Sequence, residues 1–412
     1  EIAHEKAKIK RLRIILAVVG VLLAAALIAV AVVLVLQSQN SDAGKPVIKN
    51  SILLEDVLQG KLNARRFNGS WVDGKTKNYI KLFRHSFLAQ YDILNVENGV
   101  ITELQVNNNQ EYLLLASWGP VGNALIFNYN RNLYYKPSVL EKEVQITDDE
   151  YFNGIPDWVY EEEVFSSNSA VWFSPDGQKI AYIQFNDLQV SVINLPVYGE
   201  AGNMEFQYPR NRPVFYPKSG ANNPFVRLFI VNLNEDKINP FQVQVPSELN
   251  TLEHIITVVN WVDNDKLLSV WMNRVQTLAY IQINNNQDRL DLYKQESKTG
   301  WVDIFSEPLK NSDGSQIAII APQKQSDQAG NYRHVTVLST KSTKRTAGSA
   351  ITKGNFGVQS LLHWDHGHNL IFYTSNQEKS NYLHVYAVKS GGGDPICVTW
   401  DLPILKAESV CS

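Results

Sequence analysis

The sequence predicts an all-β fold preceded by one membrane-spanning helix, and three observations predict it. Beyond its amino-terminal part the chain reads as short runs of alternating apolar and polar residues, broken by turn-forming residues, with few stretches of helical period. Within these runs one unit recurs: a strand ending in Trp or Ser, a polar turn with Gly or Asn, then an apolar strand. Upstream of them, Ile14 to Leu36 is an unbroken run of 23 Ile, Leu, Val, Ala and Gly residues without a charge.

Residues 1–13 read as a cytoplasmic tail. They carry Lys6, Lys8, Lys10, Arg11 and Arg13 against Glu1 and Glu5, while Gln37 to Lys45 on the other side holds one Asp and one Lys. Residues 14–36, as a helix about 34 Å long, are long enough for a bilayer core and too long for the apolar region of a cleaved signal peptide. The charge asymmetry puts the amino terminus in the cytoplasm, so the expected topology is a single-pass type II plasma-membrane protein with the bulk outside. Residues 37–53 then form a stalk and residues 54–412 the β domain. Asn68-Gly69-Ser70 is an N-glycosylation sequon, usable only on the secretory side, and makes Asn68 the expected glycosylation site. The formal net charge of the 412 residues is -3, with 19% charged and 44% hydrophobic residues. That is a globular composition, and with no basic face beyond the tail it argues against nucleic acid as a partner.

The recurrent unit appears at Trp118-Gly119-Pro120-Val121-Gly122 and at Ser174-Pro175-Asp176-Gly177. It returns at Trp261-Val262-Asp263-Asn264-Asp265, at Ser312-Asp313-Gly314 and at Trp364-Asp365-His366-Gly367. Turn centres near 121, 176, 264, 313 and 366 are separated by 55, 88, 49 and 53 residues. Propeller blades recur at about 40 to 50 residues, so the spacing fits blades with long loops and one diverged copy inside the longest interval. Unrelated β-turns in a sandwich give a similar picture, and the spacing alone leaves both open.

The stretch from Gly154 to Phe165 holds Glu161, Glu162 and Glu163 inside the aromatic and apolar frame Ile155, Trp158, Val159, Tyr160, Val164 and Phe165. Charge runs are usually solvated faces. Here, however, a strand would turn one of the three charges inward, whereas in a helix or tight turn neighbouring carboxylates project about 100° apart and converge on one cation. The string resembles the acidic motif of the dipeptidyl peptidase IV family. The likeness continues in Tyr182-Ile183-Gln184-Phe185-Asn186-Asp187, in Tyr216-Pro217-Lys218-Ser219-Gly220-Ala221-Asn222-Asn223-Pro224, and upstream in Phe83-Arg84-His85-Ser86-Phe87 followed by Gln90-Tyr91-Asp92-Ile93. It spans most of residues 46 to 400, in family order.

That resemblance implies an eight-bladed β-propeller, here incomplete, from a membrane-anchored serine peptidase that releases X-Pro and X-Ala dipeptides from peptide amino termini. By position in the motifs it places the amine-binding acids at Glu162 and Glu163 and the carbonyl-binding arginine at Arg84. Two adjacent carboxylates repel, an ammonium between them relieves the conflict, and a guanidinium offers several donors to a carbonyl oxygen. A further family arginine near Gly300-Trp301-Val302 has no counterpart, and Phe305 is expected to keep the apolar part of that contact. The Gly-x-Ser-x-Gly elbow of the family's hydrolase domain does not occur in these 412 residues, so no catalytic residue is assigned. The alternative is a non-catalytic member acting as an auxiliary subunit of a voltage-gated potassium channel. The family's homodimer is a further implied partner, and no cofactor is implied.

Two departures accompany the likeness. Only 12 residues separate Trp71 from Arg84, where the family has several strands, so much of the first blade is expected to be missing. The two cysteines, Cys397 and Cys411, are close enough to close a short disulfide loop, yet the family's second cysteine here is Trp400, so pairing elsewhere stays open. His363, His366 and His368 fall in one turn without a ligand partner at diagnostic spacing, and no metal is expected there.

Overall fold

The computed structural model describes residues 69–70 and 74–399, apart from 200–201, 236–237, 286–287 and 304, with side chains from residue 82 onward. The expected helix at 14–36, Asn68 and Cys411 lie outside the described residues. Among the described residues no helix is long and apolar enough to cross a membrane.

The described chain is a succession of antiparallel sheets. The first takes β1 (Gly69–Ser70), β2 (Gly74–Lys81), β3 (Phe87–Leu94) and β4 (Ile101–Glu103). The second takes β5 (Leu115–Trp118), β6 (Leu125–Tyr129), β7 (Asn132–Lys136) and β8 (Val144–Gln145). The third begins with β9 (Phe152–Asn153), β10 (Val171–Phe173) and β11 (Lys179–Asn186). A separate hairpin, β12 (Val192–Val197) and β13 (Arg210–Phe215), then interrupts it before β14 (Phe225–Asn232) and β15 (Phe241–Gln242). The fourth holds β16 (His254–Trp261), β17 (Leu267–Asn273), β18 (Leu278–Asn285) and β19 (Asp288–Glu296). The fifth holds β20 (Leu309–Lys310), β21 (Gln316–Ser326), β22 (Gly330–Ser339) and β23 (Ser349–Ala350). The sixth holds β24 (Val358–Asp365), β25 (Leu370–Ser375), β26 (His384–Lys389) and β27 (Ile396–Cys397).

Side-chain alternation explains how these sheets stack. In β11, Ile180 and Tyr182 pack toward the second sheet with Ile126 and Leu133, while Ala181, Ile183 and Phe185 pack toward the fourth with Ile256, Trp261 and Trp271. In β17, Leu267 and Trp271 face the third sheet while Leu268 and Val270 face the fifth with Ile317 and Ile319. Successive residues point to opposite faces, and both faces are covered, so these strands are apolar along their length rather than alternating apolar and polar. Further apolar clusters join the first sheet to the second and the fifth to the sixth. Consecutive sheets of four strands, with β9 as a fifth in the third, stacked face to face in chain order are the arrangement of propeller blades.

All five recurrent turns join the first two strands in the ladder order of a sheet: β5 to β6, β10 to β11, β16 to β17, β20 to β21 and β24 to β25. The expectation of a diverged copy inside the 88-residue interval is corrected: one sheet fills it, lengthened by the β12–β13 hairpin. The short span ahead of Arg84 holds the single strand β2, and Gly69–Glu103 still forms a four-stranded sheet. Strand direction separates two ends of the stack. The recurrent turns meet at one, where Lys179 Nζ donates to the Asn264 carbonyl at 3.1 Å and to Asp265 Oδ1 at 2.5 Å. Links between sheets and turns between second and third strands gather at the other, and that end carries the acidic segment, the Arg84 turn and Phe305.

Candidate functional site

The acidic segment lies between β9 and β10 and is pinned at both ends to β11. Gly154 N–H donates to the Ile183 carbonyl at 2.8 Å, and Ile183 N–H donates to the Ala170 carbonyl at 3.1 Å. Gly154 sits at φ +69, with Val171 and Leu133 side chains filling the space a Cβ would need. Asp157 starts the helical turn by accepting from Val159 and Tyr160 N–H, both at 3.1 Å. Tyr160–Phe165 is a single wide π-helical turn, a form frequent at functional sites, and Ser166 ends it at φ +49. Tyr160 anchors it: its ring lies 5.0 Å from Phe185 and its hydroxyl accepts from Ile256 N–H of the fourth sheet at 3.2 Å.

That anchoring gives the three glutamates three environments. Glu161 points inward and is 1% exposed. Its Oε1 accepts from His85 N–H at 2.7 Å and Ser86 N–H at 2.8 Å, both in the turn between β2 and β3. A buried carboxylate is costly unless hydrogen-bonded, and these two donors satisfy Oε1, while Oε2 is buried without a partner. Glu162 is half-buried: its Oε1 accepts from Arg84 N–H at 3.0 Å and its Oε2 lies 3.8 Å from Arg84 Nη1. Glu163 is exposed. Arg84 and Glu162, 78 residues apart in the chain, thus meet, with Glu163 next along the turn. The Arg84 side chain is 71% exposed, so this ion pair is weak and open to exchange.

Sequence reasoning missed the supports. Arg212 of β13 donates from Nη2 to the Leu82 carbonyl and lies 5.0 Å from the Phe83 ring. Tyr216, just past β13, lies 4.4 Å from the Trp158 ring. Asp187, at the end of β11, is buried beside Asp157. Burial and the neighbouring Asp187 charge raise the Asp157 carboxyl well above its usual range, and burial pushes Asp187 up to about 7, opposed by Arg131. Tyr216, Asp187 and Trp158 all fall inside the motif strings, which was the available signal. Arg212 lies between two of those strings and carried none.

The remaining expected site residues lie apart from this contact. Phe305 is half-buried against Val302, Met272 and Ala279 and against the apolar seam of the fourth and fifth sheets. Cys397 is half-buried in β27, where it pairs with Tyr386 across the ladder. In the histidine turn, Asp365 accepts from Gly367 and His368 N–H at 2.8 and 3.1 Å and pairs with His368 Nδ1 at 2.7 Å. Asp365 there serves as a turn-former.

Stacked antiparallel sheets, with a half-buried acid, an exposed acid and an arginine gathered at one end, define a propeller-type domain. Residues 75–403 match the model described as the dipeptidyl peptidase IV N-terminal region, and the chain belongs to that family. It is 30% identical over 334 residues to venom dipeptidyl peptidase 4 of Apis mellifera, covering 79% of this chain and 42% of the relative. It is 29% identical over 320 residues to inactive dipeptidyl peptidase 10 of Mus musculus, covering 76% of this chain and 39% of the relative. The chain therefore spans about two-fifths of the length of the curated relatives it matches. The crystal structure of Porphyromonas gingivalis dipeptidyl peptidase 4 aligns with a TM-score of 0.64 at 21% identity, over 79% of this chain and 44% of that one, a likeness of fold.

Proposed function

We propose that this chain is the amino-terminus-binding part of a membrane-anchored, type II serine dipeptidyl aminopeptidase of the plasma membrane, whose hydrolase domain does the cutting. The observation that carries the reading is the contact between Arg84 and Glu162 beside the exposed Glu163. In the free protein the guanidinium neutralises Glu162. An incoming ammonium takes its place between Glu162 and Glu163 and makes charge-assisted hydrogen bonds worth about 1.5–3 kcal/mol each when shielded from water. Arg84 is then free to turn its donors to the first carbonyl of the peptide. Recognition of the free amine measures the distance to the bond after the second residue. In the same reading residues 14–36 anchor the chain, Asn68 carries glycan, and Cys397 is available to Cys411.

The test is direct binding of a fluorescent Gly-Pro amide and of its N-acetyl counterpart. The wild type is expected to prefer the free amine, and Glu162→Gln or Glu163→Gln to remove that preference. Equal binding of both probes by the wild type, or no effect of either substitution, would show that the acids serve another purpose. The similarity to inactive dipeptidyl peptidase 10 supports a second reading, a non-catalytic member of the family, for which we propose the role of auxiliary subunit of a voltage-gated potassium channel. Hydrolysis of the Gly-Pro chromogenic amide by the chain together with any coding sequence that follows Ser412 separates catalytic from non-catalytic: activity means peptidase, and silence in a folded protein favours the non-catalytic reading.

A further inference from the structure

Among the described residues the β12–β13 hairpin is a two-stranded sheet joined to no other strand ladder, with six residues of each strand in register. Such a hairpin is marginal by itself, so what fixes it is what its base touches. It touches both halves of the acidic site. Half-buried Arg212 donates to the Leu82 carbonyl and lies over Phe83, immediately ahead of Arg84. Tyr216 packs on Trp158, at the start of the turn that carries Glu161, Glu162 and Glu163. Tyr216 N–H in turn donates to the Ser191 carbonyl at 2.8 Å, closing the base of the hairpin between the two contacts.

We infer that Arg212 is a positioning residue of the amino-terminus site: through the hairpin it holds the Leu82–Ser86 turn against the acidic turn and fixes the gap between Arg84 and the Glu162–Glu163 pair. The inference rests on the reading of those acids as the ammonium site. Arg212 itself does not enter that site, because its guanidinium is occupied by a backbone carbonyl and an aromatic face. Glu161 holds the other end of the same turn, through His85 and Ser86 N–H. With two separate supports, loss of one loosens the turn without unfolding the sheets beneath it.

Two readouts on the full 412-residue chain test this, with Arg212→Ala, Arg212→Lys and Phe83→Leu compared with the wild type. The first is hydrogen exchange at residues 83–86, which needs no ligand. Arg212→Ala is expected to speed exchange there about tenfold, the equivalent of one hydrogen bond from a charged donor, Phe83→Leu to speed it less, and Arg212→Lys to stay near wild type because an ammonium also donates to Leu82 and sits over Phe83. The second is affinity for the free-amine Gly-Pro amide, expected to fall about tenfold in Arg212→Ala and to be restored in Arg212→Lys. Exchange and affinity both unchanged in Arg212→Ala would overturn the inference, as would loss of affinity that lysine does not restore. A wild type that binds the free and acetylated probes alike would refute the ammonium site, and the exchange result would then decide the support by itself.

Discussion

Replacing Glu161 by alanine removes the one acceptor shared by His85 and Ser86 N–H, at 2.7 and 2.8 Å. Two hydrogen bonds to a charged acceptor amount to about 3–6 kcal/mol in gross terms. Two effects offset this. The variant no longer buries a carboxylate that is 1% exposed in the wild type, and the turn lies beside the exposed Arg84, so water reaches part of the freed backbone. The expected net loss is about 2–3 kcal/mol, with Glu161→Gln losing less because it keeps an acceptor oxygen in place. Urea unfolding monitored by tryptophan fluorescence gives the stability, and hydrogen exchange at His85 and Ser86 locates the effect. Binding of the free-amine Gly-Pro amide is expected to weaken as well, although Glu161 does not face the ligand. A change in stability below about 0.5 kcal/mol with unchanged exchange at both amides would refute the anchoring role.

The buried Asp157–Asp187 pair predicts a pH dependence. Asp187 titrates near 3.8 in the unfolded chain and at about 7 in the fold, so the folded state holds the proton more tightly. Its stabilising contribution is full below about pH 4 and is lost as pH rises through 7. Asp187→Asn is expected to reduce that slope, the remainder belonging to Asp157, which its own burial keeps raised, and parallel urea-stability curves for the two proteins across this range would contradict it. Gly154→Ala is expected to cost more than about 3 kcal/mol, because the new Cβ lies 2.4 Å from Val171 Cγ2 at φ +69. A melting temperature within a degree or two of wild type would show that the segment can shift. Glu162→Gln and Glu163→Gln are expected to leave the melting temperature unchanged while losing preference for a free amine, since neither side chain is part of the core.

What the sequence determined by itself is what local chemistry controls. Turn residues act within four positions of one another, so Trp261-Val262-Asp263-Asn264-Asp265 and its counterparts marked the strand junctions of five successive sheets. The apolar runs of β11 and β17 already carried the double-faced burial that stacking requires. The motifs singled out Arg84, Glu162 and Glu163 by resemblance, as separate amine-binding and carbonyl-binding groups, and the contact between Arg84 and Glu162 came only with the fold.

Tertiary structure decided the rest, because it depends on groups distant in the chain. Three consecutive glutamates are chemically identical in sequence. Glu161 became the buried anchor only because the His85 and Ser86 amides, about 75 residues upstream, face it across the fold. The 88-residue interval looked like a lost blade, since a hairpin inserted between β11 and β14 leaves no turn signal that distinguishes it from a diverged repeat. Asp157 and Asp187 are ordinary acids 30 positions apart until burial brings their charges together. Arg212 reads as a surface charge on an exposed strand. Its role arises because strand direction carries the hairpin to the same end of the stack as the Arg84 turn, where a backbone carbonyl and an aromatic ring meet its guanidinium.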